Sequence, residues 1–336
     1  MKKTLFGGKS NLYKGNMHCH STLSDGRLSP EELKEYYKSH GYSFLAITDH
    51  EHINNNSYLD DEDFITITSC EIAIKEFADV STLKNYDMKV CHLNLYAKEQ
   101  DNDYNVCYNE VYDHFSAKER RVNFKRPTND FVRVYGADGI NEIIKTANEN
   151  GFFVCYNHPR WSLENYGDYS GYEGLWGVEV YNTSCNAGGM YEYDINVVDD
   201  FLRDGKRVFT SSGDDNHNNR KGSSFGTFVM VNADELKYES IINSLLSGDF
   251  YTSTGPEIFE ISVEDMTVHI KCSKAVKINL STKGRRMATV VAEDDSFLNE
   301  ATFNLKDTDG YFRISVLDDK GKIADSQSFW LEDFIK

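Results

Sequence analysis

The 336-residue sequence has no apolar run long enough to cross a bilayer, which excludes a helical membrane span. No apolar stretch follows Lys2 and Lys3. Met1 to Asn11 therefore does not read as a secretory signal, and a cytoplasmic location is the default expectation. There is no C-x-x-C pair. The seven cysteines, Cys19, Cys70, Cys91, Cys107, Cys155, Cys185 and Cys272, are scattered and odd in number. That argues against a disulfide framework and against a thiolate zinc site; reduced, buried thiols are expected. Neither a G-x-G-x-x-G fingerprint nor a P-loop occurs, which removes the usual phosphate-cradling loops. Positive charge is scarce as well. The chain has 36 Lys and Arg against 54 Asp and Glu, a net charge of −18. Such acidity disfavours a long nucleic acid as partner. A nucleotide or short oligonucleotide in one local site stays open, because bound divalent cations would reverse the charge there.

What is present is an ordinary globular composition, 40% hydrophobic and 27% charged, in a chain long enough for one large domain and a small one. The first two thirds alternate strand-like and helix-like segments. Asn16 to His20 reads as a short strand. Ser29-Pro30-Glu31-Glu32 reads as a helix start, with Ser29 as N-cap, Pro30 at the first helical position and Glu32 closing a capping box. Gly41 stops that helix. Strands are expected at Ser43–Thr48, Phe64–Ser69 and Lys89–Tyr96, then at Phe152–Tyr156, Gly177–Tyr181, Arg207–Ser211 and Phe225–Val231. Helices are expected near 139–150, 197–203 and 234–246. This β-α rhythm predicts a parallel sheet or barrel with its chemistry at the C-terminal strand ends. Residues 98–137 are polar and weakly periodic, and read as an insertion, a candidate flap. After Pro256 the texture changes to short strands with turn signals between them and no helix pattern. The expected division is an α/β unit over 1–255 and a small β-sandwich over 256–336.

The ten histidines carry the functional signal. His18 and His20 form His-x-His, and on a strand residues i and i+2 face the same side. Asp25 follows in a turn before the capped helix. His50 ends SFLAIT-D-H, Glu71 ends FITITSC, His92 sits in VCHLNLY and His158 ends FFVCYNH. Asp215 and His217 form Asp-x-His after RVFTSSGD. Six imidazoles and three carboxylates at candidate strand ends point to two to three divalent metal ions. The donor types suit zinc, manganese or iron better than calcium or magnesium. The other histidines have plainer readings. His40 suits a helix C-terminus, His114 a polar surface and His269 a structural place in the β region. His52, two residues past His50, is a candidate for substrate contact or proton transfer, or else a loop residue. Arg160, in His158-Pro159-Arg160, is a candidate for bidentate capture of phosphate oxygens, or else an ion pair with the acidic surface. Trp161 with Tyr166, Tyr169 and Tyr172 could wall a pocket, or simply pack.

The block NMHCHSTLSDGRLSPEELKEYYKSHGYSFLAITDHEHI resembles the opening of the PHP (polymerase and histidinol phosphatase) family. Glu71, His92, Asn157-His158-Pro159 and Gly213-Asp214-Asp215-Asn216-His217 recur in that family's order, and the likeness covers about residues 14–255. The resemblance implies a distorted (β/α)7 barrel with a trinuclear metal site. One ion would take His18, His20, Glu71 and Asp215. A second would share Glu71 and add His92 and His158. A third would take Asp25, His50 and His217. Asp25, where histidinol phosphatases of the family commonly have His, is similar to the branch acting on nucleoside monophosphates or short oligonucleotides. The stretch Gly248–Pro256 and the β region after it resemble instead a carbaryl-hydrolase-like metallohydrolase branch.

The resemblance and the donor set together imply a phosphoesterase acting on a small phosphate ester, nucleotide-like or a sugar or amino-acid phosphate, through metal-activated hydroxide. A carboxylic or carbamate ester hydrolase using the same centre is the alternative. A metal-stabilised binding module is the second, and the large number of donors argues against it. The substrate is expected to be a small molecule, with no membrane partner.

Overall fold

The computed structural model describes residues 2–8, 11–76, 88–115, 125–191, 193–294 and 296–334. The elements in chain order are β1 (Lys3–Phe6), β2 (Asn11–Asn16), α1 (Pro30–Lys38), β3 (Phe44–Ala46), β4 (Ile65–Ile67), β5 (Ser69–Lys75) and β6 (Val90–Ala97). Then come α2 (Ala137–Glu149), β7 (Phe152–Tyr156), α3 (Tyr166–Tyr169), β8 (Gly177–Asn182), α4 (Thr183–Ala187), α5 (Ile195–Arg203), β9 (Phe209–Gly213), β10 (Phe228–Ala233), α6 (Tyr238–Ser247) and β11 (Phe250–Ser253). The remainder is all strand: β12 (Ile258–Glu264), β13 (Thr267–Ala275), β14 (Lys277–Thr282), β15 (Met287–Val291), β16 (Leu298–Asn304), β17 (Tyr311–Leu317), β18 (Ile323–Ser326) and β19 (Phe329–Trp330). The fold is mixed α/β with many strands and few helices.

Local chemistry explains the elements that position the site. Ser29 Oγ accepts from the Glu32 amide at 3.2 Å, and the Glu32 carboxylate accepts from the Ser29 amide at 2.8 Å, so the expected capping box is formed. Helix α1 buries Pro30, Leu33 and Tyr37 on one face. Helix α5 buries Val197, Val198, Phe201 and Leu202, an i, i+1, i+4, i+5 stripe. Each fully buried Leu or Val there contributes roughly 1.5–3 kcal/mol.

Three sheets result. The largest runs β15-β14-β17-β18-β11-β10-β2-β3-β4, with β19 on β17; a second runs β5-β6-β7-β8-β9; a third runs β1-β12-β13-β16. Among the described residues the ladders do not close into the expected (β/α)7 barrel. Among the described residues, the parallel strand ladders are β2-β3-β4 and β7-β8-β9. Strand β6 pairs antiparallel with both β5 and β7. The sheet breaks at Thr68, between β4 and β5, and the isolated bridge Cys19–Asn216 spans the gap between the ends of β2 and β9.

Strand β2 is also displaced from the strand expected at Asn16–His20. It covers Asn11–Asn16, where it pairs with β10, and His18 and His20 lie beyond its end. Strand β1 joins β12, and β18 joins β11, so backbone ladders cross residue 255 in both directions. Ile258, Ile261, Val268 and Ile270 of the third sheet share one core with Ile278, Leu280, Ile314 and Val316 of the largest, and with Leu33 and Tyr37 of α1. Residues 116–124 of the expected insertion lie outside the described residues. The rest of 98–137 is irregular up to α2, apart from one 3-10 turn at Glu110–Tyr112.

Candidate metal centre

The nine residues singled out in the sequence meet at one rim. His18 and His20 follow β2, Asp25 lies in the turn before α1, and His50 follows β3. His158 follows β7, and Asp215 and His217 follow β9. Glu71 and His92 depart from the strand-end expectation, since both are third residues of their strands. Strand β6 runs in reverse, so its first residues, His92 among them, come to the rim where the parallel strands end. Glu71 reaches the rim through a parallel bridge to His50.

Their donor atoms form four overlapping groups, each able to hold a metal ion: His20, Asp25, His50 and His217; His18, His158 and Asp215; His18, His20 and Glu71; Glu71, His92 and His158. Glu71 is the hub. Its Oε1 lies 3.1 Å from His92 Nδ1, 3.3 Å from His158 Nε2 and 3.3 Å from His18 Nε2. Its Oε2 lies 3.2 Å from His50 Nδ1 and 3.5 Å from His20 Nε2. Asp215 Oδ1 is 3.1 Å from His20 Nε2 and 3.4 Å from His18 Nε2. Asp25 Oδ1 is 3.2 Å from His217 Nε2 and 3.6 Å from His50 Nε2.

The donor set fits divalent cations. His18 Nδ1 sits 2.9 Å from Glu179, and His217 Nδ1 donates to the Asp215 carbonyl at 3.0 Å. Each ring therefore spends its proton away from the centre and turns the Nε2 lone pair inward. The Nε2 atoms of His18 and His20 face each other at 3.3 Å among carboxylate oxygens. Lone pairs so placed repel one another unless a cation or protons stand between them. Without a cation, protons take that role. Burial opposes charge on His158 and His217, but Glu71 beside the first and Asp25 beside the second raise both to about 9. Burial opposes the His18 cation too, yet Asp215, Glu71 and Glu179 hold it well above the usual range. Burial, with His217 and His50 nearby, pushes His20 down to about 3. Burial disfavours the Asp25 carboxylate, but His217 and its neighbouring imidazoles bring it down to about 2.

A supporting layer holds these side chains, and the sequence reading missed it. Glu179, on β8, also accepts from the His158 amide at 3.1 Å and from Asn182 Nδ2 at 3.0 Å. Asn157 donates to Glu71 at 2.8 Å. Asp49 accepts from the Ser21 amide and from the Ser21 and Ser24 hydroxyls at 2.6–2.8 Å, which locks the turn bearing Asp25. Asp214 accepts from Tyr37, Thr183 and the Phe225 and Gly226 amides. A charged residue inside an apolar strand, as in GVEVY, was the available signal for Glu179. Backbone placement is also demanding. His158 (φ 28°) and Asp215 (φ 49°) are left-handed, a cost of about 1–3 kcal/mol each. A Cβ on Gly213 would lie 2.3 Å from the His18 side chain and 2.8 Å from Glu179, so only glycine allows that approach.

The two remaining candidates are not among the donors of the centre. His52 is buried, with Nε2 3.2 Å from the Asp113 carboxylate, and belongs to none of the four groups. Arg160 is half exposed, 3.7 Å from Asp194. Trp161 packs on His92 and His158, whereas Tyr169 and Tyr172 are buried and bonded to Asp200 and Glu164. The letters Gly222-Ser223-Ser224-Phe225-Gly226 match the spacing of a serine nucleophile elbow. That motif needs a strand-to-helix turn, whereas here a loop leads into β10.

No protein-family profile matches the chain. A 5'-3' exoribonuclease of Haemophilus influenzae is 34% identical over 80 residues, 24% of this chain; the match spans about a quarter, 27%, of that protein's length. Among solved structures, the chain is similar to a two-domain protein of Bacteroides vulgatus containing a predicted PHP-like metal-dependent phosphoesterase. The identity is 15% and the TM-score 0.46, over 94% of this chain and 93% of that one. An amidohydrolase of Chromobacterium violaceum, solved with sulfate and no metal, matches at 15% identity and TM-score 0.34, over 60% and 87% of the two chains. No helix among the described residues is long and apolar enough to cross a membrane.

Proposed function

We propose that this chain is a metal-dependent hydrolase that cleaves a small phosphate ester. The observation that carries the reading is Glu71, one buried carboxylate within 3.1–3.5 Å of five imidazoles that belong to overlapping ligand groups. A single closed structural site does not need that many donors. Two or three divalent ions of the zinc, manganese or iron type, bound there, would supply an activated water and positive charge for the substrate's oxygens. The chain's own part is positional. Glu179, Asn157 and the backbone of β7 and β9 hold the imidazoles with their lone pairs inward. Arg160, on the turn that carries His158, is assigned to a substrate oxygen from the rim. His52, through Asp113, is assigned to proton supply for the leaving group.

The shared stretch with an exoribonuclease supports including dinucleotides and short oligoribonucleotides among the substrates to try. The likeness of the C-terminal region to carbamate-cleaving enzymes keeps aryl esters and carbamates as the second reading. The test is a turnover panel on zinc-, manganese- and iron-loaded protein, with phosphate esters set against carboxylic and carbamate esters. Phosphate esters are expected to be hydrolysed. Activity confined to the other set rejects the phosphoesterase reading, and no turnover with any metal rejects the hydrolase.

A further inference from the structure

Two large aromatic rings stand at the rim, each packed on a histidine of the centre. Phe115 stacks on His50, with centroids 4.9 Å apart and planes at 29°. Trp161 packs on His92 at 5.0 Å and on His158 at 4.9 Å. The imidazoles beneath are largely buried, yet the rings above them are 49% and 41% exposed. Isolated exposed aromatics are common on protein surfaces. Two that cap ligand-group histidines from different segments call for another explanation.

Both rings sit beside hydrogen-bonded segments. Trp161 sits on a turn closed by the Ser162 amide to the His158 carbonyl at 3.1 Å and by the Leu163 amide to the Arg160 carbonyl at 3.1 Å. That turn ends on Glu164, whose carboxylate accepts from Tyr135, Tyr156 and Tyr172 at 2.5–2.7 Å. Phe115 follows Asp113, which accepts from Tyr108 at 3.1 Å and lies 3.2 Å from His52. Nearby, Arg133 ties the same insertion to Glu51, whose backbone bonds to that of Glu71. Exposed faces on segments tied in this way lose less freedom when a flat partner covers them.

We propose that Phe115 and Trp161 form a subsite for a planar aromatic group, an aryl ring or a nucleobase, carried by the ester that the centre cleaves. The proposal rests on the hydrolase reading for its substrate but not for its test. A flat π-system stacks on such rings whatever its hydrogen-bonding edge, and an alkyl or sugar group does so poorly.

The experiment is calorimetric binding to the metal-loaded full chain, which needs no turnover. The probes are phenylphosphonate against methylphosphonate, benzoate against acetate, and the methylenephosphonate analogue of a nucleoside monophosphate against that of ribose 5-phosphate. The planar member of each pair is expected to bind at least about ten-fold more tightly. Trp161→Leu and Phe115→Leu should each cut that advantage several-fold, with metal content, melting temperature and the affinity of the non-planar probe unchanged. Trp161→Phe should keep most of it. A gain confined to the nucleoside analogue identifies a base; a gain shared by all planar probes identifies any ring. Equal affinities within each pair, no binding of any probe, or an advantage that survives both leucine variants overturns the proposal. The turnover panel is a separate measurement, so the hydrolase reading stands or falls independently.

Discussion

The rim that holds the histidines and the strands after Pro256 use polar residues in opposite ways. Around the rim, charged side chains are buried: His18 and His20, beyond the end of β2, and Glu71, within β5, are at most 1% exposed, and His158 and Asp215 adopt left-handed backbone. In β13 the alternation is regular, with Val268, Ile270 and Cys272 inward and His269 and Lys271 outward. The β region therefore follows the period-2 rule that stabilises a sheet. The rim breaks it, and breaks of this kind concentrate at functional sites.

The comparison is most sharply tested by removing the hub. Glu71→Ala should leave several buried imidazoles without their carboxylate, abolish turnover and lower the metal content measured by elemental analysis. Full turnover in this variant would refute the ligand assignment. Next comes metal removal. In the metal-free protein His158 and His217 titrate near 9, so at pH 7 both carry protons that an ion must displace. Metal affinity should climb with pH from about 6 to about 9, and calorimetry in buffers of differing ionisation enthalpy should show proton release at pH 7. The sign for stability follows as well. Raised histidine values stabilise the metal-free fold below about 6.5, and that contribution is lost as pH rises through about 9. The loaded protein should lack this decline, and parallel melting curves from pH 6 to 9 for both forms would contradict it.

Smaller effects separate the regions further. Glu179→Ala should weaken metal binding by about 10–100-fold, the usual cost of losing a carboxylate behind a ligand histidine. Ile270→Ala should cost about 2–5 kcal/mol of stability in denaturant titrations and leave metal affinity as it was. A loss of metal there would show that the two regions are not separable. Arg160→Ala is expected to have the smallest effect, a several-fold rise in KM for phosphate esters. An unchanged KM removes the arginine from substrate binding.

Much of the rim was legible from the sequence because its signals are local. His-x-His, Asp-x-His and histidines at the ends of apolar runs can be counted, and the capping box of α1 spells itself out. The residues that support them were not legible. Glu179 sits alone in an apolar strand, and Asn157 and Asn182 matter only because folding brings them to Glu71 and Glu179. Sheet direction was also hidden. Nothing between residues 76 and 137 reveals that β6 runs backward, so the parallel barrel implied by the β-α rhythm did not emerge. Strand β1 escaped notice because its partner, β12, is some 250 residues away.

That distance has a consequence for how the chain reaches its native state. Lys3, Thr4 and Phe6 find Val263, Ser262 and Ile261 as ladder partners. At ribosomal speeds of about 5–20 residues per second, the first strand waits roughly 10–50 seconds for its neighbour to be synthesised. Throughout that interval its backbone donors and acceptors, and the apolar ring of Phe6, are open to other chains. The protein is thus committed to a late, long-range closure. Its beginning is secured only when the strands after Pro256 have emerged, and crowding or a stall before that point should favour aggregation over folding.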